Sequence, residues 1–551
     1  MSLIHPADSP TIRKARGAFF TPDEITAHIA SWAIRSSSDR VMEPSAGDAA
    51  FLVAAVDRLR NLSPQSNAPR VDGVEIHPYS ARIGRDRVRR AGGVPRISVK
   101  DFFDVAPIPA YDAVIGNPPY IRYQEFSGEA RVKARAAALR AGVSLTGLAS
   151  SWAAFTIHST LFLKKGGRLG LVLPAELLSV NYAAPVRHYL FTQFRSVELV
   201  LFNEQVFPEA EADVVLLLAE GFGEGPTDHA VFRETQSAAT LSSLPAGRAW
   251  SPNDPSEKWT GSIVDPNAVE PLRTLRAAGQ FVDLECWGDT TLGMVTGNNR
   301  YFTLSPDRAK RLGLDDRDLR RLSPPGSAHL RGLALTSDML QNLGEQGKST
   351  YLFTPEWPLS RAAQEYIEDG ERTGVDAAYK CRVRRTWYRV PLVPPADLLL
   401  TCMNADTPRL TTNSARAHHL NSVHGVYLKE ELRELGAELL PIASLNSVTL
   451  LNAEMVGRAY GGGILKIEPR EADRWAMPAP EFILNRASAL RAVSSTVADL
   501  LEAGRLLDAV SLVDHALLLD AGHVGEAEIE QVRRARDALA RRRMVRGGSG
   551  R

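Results

Sequence analysis

Seven short apolar runs alternate with helix-like stretches over the first 220 residues, and this alternation restricts the fold more than any other feature. The runs are RVMEP (40–44), VDGVEI (71–76), ISV (97–99), DAVIGN (112–117), LGLVLP (169–174), VELVLF (197–202) and DVVLLLAE (213–220). Strands that alternate with helices build a mostly parallel sheet with helices on both faces. The link between the last two runs is too short for a crossover helix, so we expect that pair to be antiparallel. The pattern predicts a seven-stranded doubly wound α/β fold, in which ligands lie beyond the carboxyl ends of the strands.

Composition and charge exclude several other classes of protein. The 551 residues contain three cysteines, Cys286, Cys381 and Cys402, which lie far apart with no CxxC pair. This spacing argues against a disulfide framework and against a zinc site, and it is consistent with a reducing cytoplasm. No apolar run approaches the length of a membrane span, and the N-terminus lacks the apolar core of a signal peptide. We therefore expect a cytoplasmic protein without a membrane partner. Because the net charge is only +1, any face that binds nucleic acid has to be local.

Polar residues stand at the ends of four predicted strands. They are Glu43, Glu75, Asp101 and Asn117. One acid at such a position commonly caps the next helix, but three neighbouring acids repel each other unless a cationic or donor-rich ligand lies among them. A ribose, an adenine amino group and an amino-acid ammonium would satisfy this rim, and S-adenosylmethionine carries all three. The adjoining turn PSAGDAAF (44–51) has small residues that let a ligand approach, but it lacks the GxGxxG pattern of a dinucleotide site.

The stretch VIGNPPYIRY (114–123) ends the fourth strand in an unusual way. Pro118 and Pro119 have no N–H, and Asn117, as the residue before a proline, is pushed into an extended conformation. A plain loop could use the same residues. However, a side-chain amide, carbonyls without helical partners and an aromatic ring at Tyr120 also form a rigid row of acceptors beside an apolar plate. Such a row suits a planar group that carries an amino substituent.

Several motifs in a fixed order carry a resemblance to a known family. They are GAFFTP (17–22), VMEPSAGDAAFL (41–52), VDGVEIHP (71–78), VKDFFD (99–104), YDAVIGNPPYIRY (111–123), GGRLGLVLPAELL (166–178) and NEQVFPEAEADVVLLLAEG (203–221). Together they resemble the gamma class of adenine-N6 DNA methyltransferases of type II restriction-modification systems. A looser resemblance to the recognition domains of such enzymes extends to GNNRYF (297–302), RTWYRVP (385–391), NSVHGVYL (421–428) and YGGGILKIEP (460–469).

The resemblance implies a role for each matching residue. The residues implied for S-adenosylmethionine are Thr21, Glu43, Ser45 and Gly47 at its methionine part, Glu75 at the ribose, and Ile76, Asp101 and Phe102 at the adenine. The residues implied for the target base are Asn117, Pro118, Pro119 and Tyr120, with Phe207 on the opposite face of the base. No metal is implied. One position departs from the family pattern, because Ala49 stands where many members have a second glycine, and this could loosen the cofactor turn.

The remainder of the chain predicts a recognition domain and a helical tail. We expect a catalytic domain over 1–225, a linker over the Gly-, Pro- and Ser-rich stretch 226–259, a mixed target-recognition domain over 260–485 and a helical segment over 486–551. A DNA methyltransferase needs a module that reads bases in the major groove. The segment KCRVRRTWYR (380–389) combines cations with aromatic residues, which suits phosphates and bases. Its candidate DNA-binding residues are Arg382, Arg384, Arg385, Trp387 and Tyr388.

These expectations combine into one reaction. Asn117 Oδ1 and the Pro118 carbonyl would each accept one N–H of an adenine flipped out of double-stranded DNA, so that its amino nitrogen can take the methyl group without a general base. The commonest restriction nucleases carry a lysine two positions after an acid, and none of the eleven lysines of this chain has that spacing. We therefore expect a separately encoded restriction endonuclease. Two alternatives stay open: methylation of protein glutamine or RNA with the same loop, and a catalytically idle DNA-specificity factor.

Overall fold

The computed structural model of this chain describes residues 21–64, 67–204, 206–207, 214–252, 254–460, 462–522 and 524–547. The first four residues of the GAFFTP motif lie outside the described residues, and so do Gln205 and residues 208–213 around Phe207. The chain divides into two compact units, Met1–Ile263 and Val264–Arg551. Each unit has its own hydrophobic core.

The first unit is built around one mixed sheet. Its strands are β1 (Val41–Glu43), β2 (Arg70–Glu75), β3 (Val94–Val99), β4 (Tyr111–Gly116), β5 (Leu163–Pro174), β6 (Phe194–Phe202), β7 (Val214–Phe222), β8 (Ala230–Thr235) and β9 (Arg248–Trp250). Their order in the sheet is β3-β2-β1-β4-β5-β7-β6-β8-β9. The strands β1 to β5 pair in parallel, whereas β7 is antiparallel to both β5 and β6. The predicted doubly wound α/β fold and its antiparallel pair are confirmed.

Helices cover both faces of this sheet. They are α1 (Asp23–Ala33), α2 (Ala50–Leu62), α3 (Pro78–Arg90), α4 (Gly128–Leu139), α5 (Ser151–Thr160), α6 (Glu176–Ser179) and α7 (Ala184–Gln193). Successive strand residues enter different cores: Leu171 and Leu173 join one cluster, and Val172 between them joins the other. This alternation follows from the period of two along a strand. It explains why the central strands are continuous apolar runs.

The stretch 226–259 is not a linker, and the described residues contribute nine strands to the sheet instead of the seven predicted. The strand β8 pairs in parallel with β6, and β9 pairs antiparallel with β8. Trp259 is fully buried, with its ring centroid 5.2 Å from that of Phe191. The buried guanidinium of Arg187 donates to the carbonyl oxygen of Ser256 at 2.8 Å. The turns that join these short edge strands supply the Gly, Pro and Ser content that resembled a linker.

In the part of the second unit that the structure describes, the strands form four small antiparallel sheets. Their strands are β10 (Phe281–Asp283) with β21 (Ala476–Pro478); β11 (Gly288–Leu292), β18 (Val423–Leu428), β15 (Leu398–Thr401) and β17 (Leu410–Thr412); β12 (Thr303–Leu304), β14 (Tyr351–Phe353) and β13 (Leu319–Arg321); and β16 (Met403–Asn404), β20 (Ile464–Lys466) and β19 (Arg458–Tyr460). This agrees with the predicted mixture of short strands and loops.

The helices of the second unit share its core with the sheets. They are α8 (Pro266–Ala277), α9 (Asn299–Phe302), α10 (Pro306–Arg311), α11 (Ser337–Glu345), α12 (Arg361–Arg372), α13 (Tyr379–Arg382), α14 (Arg433–Ala443), α15 (Ser447–Val456), α16 (Pro469–Ala472), α17 (Pro480–Glu502), α18 (Leu506–Asp514) and α19 (Glu526–Gly547). The predicted boundary between residues 485 and 486 falls inside α17. A single apolar cluster runs from Val264 to Val532. The C-terminal helices therefore belong to the same compact unit and are not a separate segment.

Buried ion pairs fasten the last helix to that core. Arg543, 5% exposed, donates to Glu454 at 2.8 Å, and Arg533 donates to the fully buried Asp514 at 2.8 Å. Removing one partner of such a pair typically costs about 3–5 kcal/mol, because the other charge is left buried. These two arginines are therefore structural.

Among the described residues no single helix is long and apolar enough to cross a membrane, although one bent pair, Glu430–Ala443 with Ser447–Val456, reaches that length and composition together.

Candidate functional site

The strand order brings the four predicted polar strand ends to one edge of the sheet. Glu43 ends β1 and Glu75 ends β2, while Asp101 follows β3 by two residues and Asn117 directly follows β4. Because β3, β2, β1 and β4 are adjacent and parallel, their carboxyl ends lie side by side. In a doubly wound sheet this edge, where the connections diverge, is where ligands bind.

Glu75 is fixed by two backbone donors. Its Oε2 accepts the N–H of Gly47 at 2.7 Å, and its Oε1 accepts the N–H of His77 at 2.8 Å. Each carboxylate oxygen retains a second lone pair for a ligand donor. Gly47 has a φ of 50°, and a side chain built there would meet no atom within 4 Å. The turn after β1 therefore leaves space beside an oriented carboxylate.

Ala49, where the family pattern has a glycine, adopts a left-handed conformation with a φ of 67°. This conformation costs a residue with a Cβ about 1–2 kcal/mol. The methyl group is fully buried and faces Gly84 of α3, where an added side-chain carbon would lie 3.0 Å away. The absence of a side chain at Gly84 thus makes room for the methyl group of Ala49 in this left-handed conformation.

Glu43 is the most unusual carboxyl group at this edge. It is 3% exposed, and within the described part of the chain no donor reaches its Oε2. Burial raises the pKa of Glu43 well above its usual range, and the nearby carboxylates of Asp48 and Glu75 raise it further. Asp48 itself is paired with Arg87. A buried carboxyl oxygen without a partner is costly, so this position suits a ligand that brings a cation or an N–H.

Two other predicted cofactor residues differ in exposure. Ile76 is 56% exposed and presents an apolar side chain directly after Glu75. Phe102, expected to cover a ligand ring, is only 3% exposed. Its ring stacks on those of Phe155 and Phe162, with a distance of 5.3 Å between ring centroids in each case. Phe102 therefore packs mainly into the core. At this rim Ile76 offers the larger apolar surface, while Asp101 Oδ1 accepts the N–H of Phe103 at 3.0 Å.

Asn117 is held from three sides. Its Nδ2 donates to Thr21 Oγ1 at 3.2 Å, its carbonyl accepts from Ser45 Oγ at 3.3 Å, and its Oδ1 accepts from the hydroxyl of Tyr120 at 2.6 Å. The Tyr120 hydroxyl also lies 3.0 Å from the carbonyl oxygen of Val172. Burial raises the pKa of Tyr120 well above its usual range, so the phenol stays neutral and can donate. The amide oxygen of Asn117 has a second lone pair available for another donor.

Phe207 lies in the buried apolar cluster against which Tyr120 packs. It is 4% exposed, and the same cluster contains Val172 of β5. The structure thus brings Phe207 and Tyr120 to one apolar region, as expected if their rings lie on opposite faces of the target base. The stacking of a base between these two rings remains a prediction.

One serine in this region was not anticipated from the sequence. Ser151, the first residue of α5, makes hydrogen bonds to Pro119 and Ile121 of the loop after β4. Its only sequence signal is the pair of serines before an apolar helix, which is typical of any helix start.

Among the described residues no group of three or more His, Cys, Asp or Glu is placed to hold a metal ion.

The basic segment of the second unit divides into fixed and exposed side chains. Arg384 donates to the carbonyl oxygens of Val295 at 2.6 Å and Trp387 at 3.3 Å. Trp387 Nε1 in turn donates to Glu371 Oε1 at 3.0 Å, and Tyr388 is half-buried against the Trp387 ring. The exposed cations of the segment are Lys380, Arg382, Arg385 and Arg389. Arg384 and Trp387 are thus held by hydrogen bonds within the fold, and their assignment to a DNA contact stays a prediction.

Comparison with known proteins finds a matching family profile in each unit. The profile of the Eco57I restriction-modification methylase family matches residues 96–207, and the profile of the type II methyltransferase M.Eco57I, C-terminal domain, matches residues 256–518. The chain is 27% identical over 488 residues to the type II methyltransferase M.XamI of Xanthomonas campestris pv. amaranthicola, covering 84% of this chain and 85% of the relative. It is 23% identical over 482 residues to M.AccI of Acinetobacter calcoaceticus, covering 84% and 86%. The chain is thus similar, in both units, to type II restriction-modification methyltransferases.

The fold of this chain also occurs in a solved structure. The type IIL restriction-modification enzyme MmeI, solved in complex with DNA, shares the fold with a TM-score of 0.52 and 12% identity, over 94% of this chain and 75% of MmeI. The profile match over 96–207 includes Asp101, the loop from Asn117 to Tyr120 and Phe207. The region that matches the methylase profile thus includes two of the four polar strand ends, Asp101 and Asn117.

Proposed function

We propose that this enzyme transfers a methyl group from S-adenosylmethionine to the N6 amino group of an adenine flipped out of duplex DNA. The observation that carries this proposal is the position of Asn117 and Pro118. Their amide and carbonyl oxygens follow β4 directly, next to the strand that ends in Glu43, whose buried Oε2 has no donor among the described residues. Acceptors for an amino group and a site for a cationic ligand thus stand at neighbouring strand ends.

The residues at the strand ends fit S-adenosylmethionine. Glu43 Oε2 needs a donor, which the ammonium of the methionine part would supply, with Thr21, Ser45 and Gly47 nearby. Glu75 has lone pairs left for the ribose hydroxyls, and Ile76 offers an exposed apolar surface for the adenine. Asp101 would accept from the adenine amino group, and the buried Phe102 would contribute only a ring edge. When bound, S-adenosylmethionine supplies the electrophilic methyl group on its sulfonium.

The loop after β4 accounts for the chemistry of the acceptor. An adenine amino nitrogen is a poor nucleophile because its lone pair is delocalised into the ring. If Asn117 Oδ1 and the Pro118 carbonyl each accept one N–H, the nitrogen shifts toward tetrahedral geometry and the developing positive charge is stabilised by two oxygens. Positioning then replaces a general base before attack: the S–CH3 bond would break as the N–CH3 bond forms, S-adenosylhomocysteine would leave, and the nitrogen would lose its proton after the transfer. Pro119 stiffens the loop, because its φ is fixed and it has no N–H to donate.

Aromatic residues beside this loop would offset the energy of base flipping. Extruding a base from a duplex costs a few kcal/mol, and stacking of the base against aromatic rings returns part of it. Tyr120 is half-buried against two apolar clusters, one of which contains Phe207. We assign these two rings to the opposite faces of the flipped adenine.

For the second unit we propose target recognition on double-stranded DNA. Four exposed cations within ten residues of the basic segment, Lys380, Arg382, Arg385 and Arg389, suit a run of phosphates. Arg384 and Trp387 would support this surface from behind, and Tyr388 lies at its edge. The structural neighbour MmeI was solved with DNA, which supports the same substrate here. We further propose that the enzyme acts in the cytoplasm and protects host DNA from a separately encoded restriction endonuclease.

The proposal is tested by identifying the methylated product. Purified enzyme would be incubated with labelled S-adenosylmethionine and a mixed duplex DNA, and the nucleosides would be separated by liquid chromatography and mass spectrometry. We expect the label in N6-methyladenine. Label in methylcytosine, in RNA or in protein glutamine, or no transfer at all, would contradict the proposal.

A further inference from the structure

The loop from Asn117 to Tyr120 has little backbone hydrogen bonding of its own. Pro118 and Pro119 have no N–H, so the first backbone donor after Asn117 is that of Tyr120. At its start the loop is held by Ser45 and Thr21, which contact Asn117. Its far end needs an anchor from elsewhere in the fold, because a proline pair fixes φ but leaves ψ of each residue adjustable.

That anchor is Ser151. Its Oγ accepts the N–H of Ile121 at 2.9 Å and donates to the carbonyl oxygen of Pro119, and its own N–H donates to the carbonyl of Ile121 at 3.0 Å. One residue thus binds the backbone on both sides of Tyr120. Ser151 is 1% exposed, whereas its partners Pro119 and Ile121 are half-buried, so the serine side of these bonds is shielded from bulk water. A buried loop carbonyl or N–H that loses its partner costs about 1–3 kcal/mol, which makes this arrangement strongly preferred.

The position of Ser151 is itself fixed. It begins α5, all of whose residues are buried. The next residue, Trp152, donates from Nε1 to the hydroxyl of Tyr182 at 3.1 Å, and that hydroxyl donates to Glu176 Oε2 at 2.6 Å. The start of the helix is therefore tied to α6, which follows β5. A hydroxyl held in this way can define the position of the loop that it binds.

We propose that Ser151 is a positioning residue for methyl transfer: by fixing the Pro119 carbonyl and the Ile121 N–H, it sets the directions of the Pro118 carbonyl and the Tyr120 ring. This inference rests on the proposed function, in which that carbonyl accepts an N–H of the target adenine and that ring stacks on it. A shift of about 1 Å in such groups can reduce a reaction rate by about 100-fold.

The test uses two matched pairs of variants. Ser151→Ala removes the bound hydroxyl, whereas Ser159→Ala removes a fully buried hydroxyl from the same helix for which the structure describes no partner. In the second pair, Ser151→Thr keeps the hydroxyl and Ser151→Val replaces it with a methyl group of the same shape. Single-turnover methylation of duplex DNA would be measured at saturating S-adenosylmethionine and DNA, alongside the Kd for S-adenosylmethionine and the Tm.

We expect Ser151→Ala and Ser151→Val to lower the single-turnover rate by at least ~10-fold with the Kd for S-adenosylmethionine within ~2-fold of wild type. Ser151→Thr and Ser159→Ala should stay within ~3-fold of the wild-type rate. Equal rates for Ser151→Thr and Ser151→Val would overturn the assignment, even if Ser151→Ala fails to fold. The assignment would also be overturned if the rate fell only in proportion to the fraction of enzyme that still binds S-adenosylmethionine, because the serine would then be merely structural. If wild type methylates no adenine, the proposed function fails, which is a different result.

Discussion

Arg384 and Arg385 are neighbours in the basic segment, yet the structure gives their side chains different surroundings. The guanidinium of Arg384 donates to the carbonyls of Val295 and Trp387 and lies 5.7 Å from the Phe302 ring centroid. A hydrogen bond from a charged donor contributes about 1.5–3 kcal/mol, and the longer of these two bonds contributes at the low end. Since Arg384 is partly exposed, we expect Arg384→Ala to lower the free energy of unfolding by about 2 kcal/mol. Arg385 is exposed, and Arg385→Ala should change it by less than about 0.5 kcal/mol.

For DNA binding we expect the opposite order, with the larger effect from Arg385→Ala. If Arg385 contacts a phosphate, Arg385→Ala reduces the slope of log K against log salt by about 0.9. Arg384→Ala, measured well below its Tm, should keep the slope because its guanidinium is turned to the protein. Both quantities are accessible: the Tm by calorimetry, and the slope by fluorescence anisotropy of a short duplex between about 50 and 200 mM salt. An unchanged slope for Arg385→Ala would remove this side chain from the interface, and an unchanged Tm for Arg384→Ala would refute its structural role.

Three further predictions concern single side chains. Tyr120→Phe keeps the ring but removes the donor to Asn117 Oδ1, so single-turnover transfer should fall by about 10-fold; an unchanged rate would show that the hydroxyl does not orient Asn117. Glu43→Gln removes the carboxylate that would accept from the ammonium, so calorimetry should show S-adenosylmethionine binding about 10-fold weaker; unchanged or tighter binding would contradict the ammonium assignment. Burial lowers the pKa of His419 to about 4 in the folded protein, whereas its pKa in the unfolded chain is about 6.5. Between pH 7 and pH 5 the unfolded chain therefore binds a proton at this position that the folded chain does not, and the free energy of unfolding falls by about 2 kcal/mol. His419→Gln should flatten that loss in urea unfolding, and an equal slope would exclude His419 as its source.

The central strands could be predicted from the sequence because both of their faces are buried. A run such as LGLVLP has no polar alternation, and the burial of Leu171, Val172 and Leu173 in two separate cores explains why. The edge strands β8 and β9 are short and are joined by turn residues, so composition alone suggested a linker. The C-terminal helices were recognised as helices, but their shared core with the recognition domain depends on long-range pairs such as Arg543 with Glu454.

The candidate site shows the same division. Parallel pairing places residues at successive strand ends together, so the grouping of Glu43, Glu75, Asp101 and Asn117 follows from the order of elements. What a side chain contacts across the fold does not follow from local sequence. Phe102 packs into an aromatic core, and Arg384 turns back to the carbonyl of Val295, 89 residues away along the chain. Ser151 lies 32 residues from Pro119, and only the structure shows that it braces the loop.

The central claim is that Asn117 and Pro118 hold the adenine amino group while the methyl group is transferred. It is tested most directly by Asn117→Ala, with single-turnover methylation and S-adenosylmethionine binding measured on the same preparation. Loss of one preorganised acceptor typically reduces the rate by about 100- to 1,000-fold. The account predicts at least that reduction in N6-methyladenine formation, with the Kd for S-adenosylmethionine nearly unchanged. A variant that methylates adenine at close to the wild-type rate would contradict it.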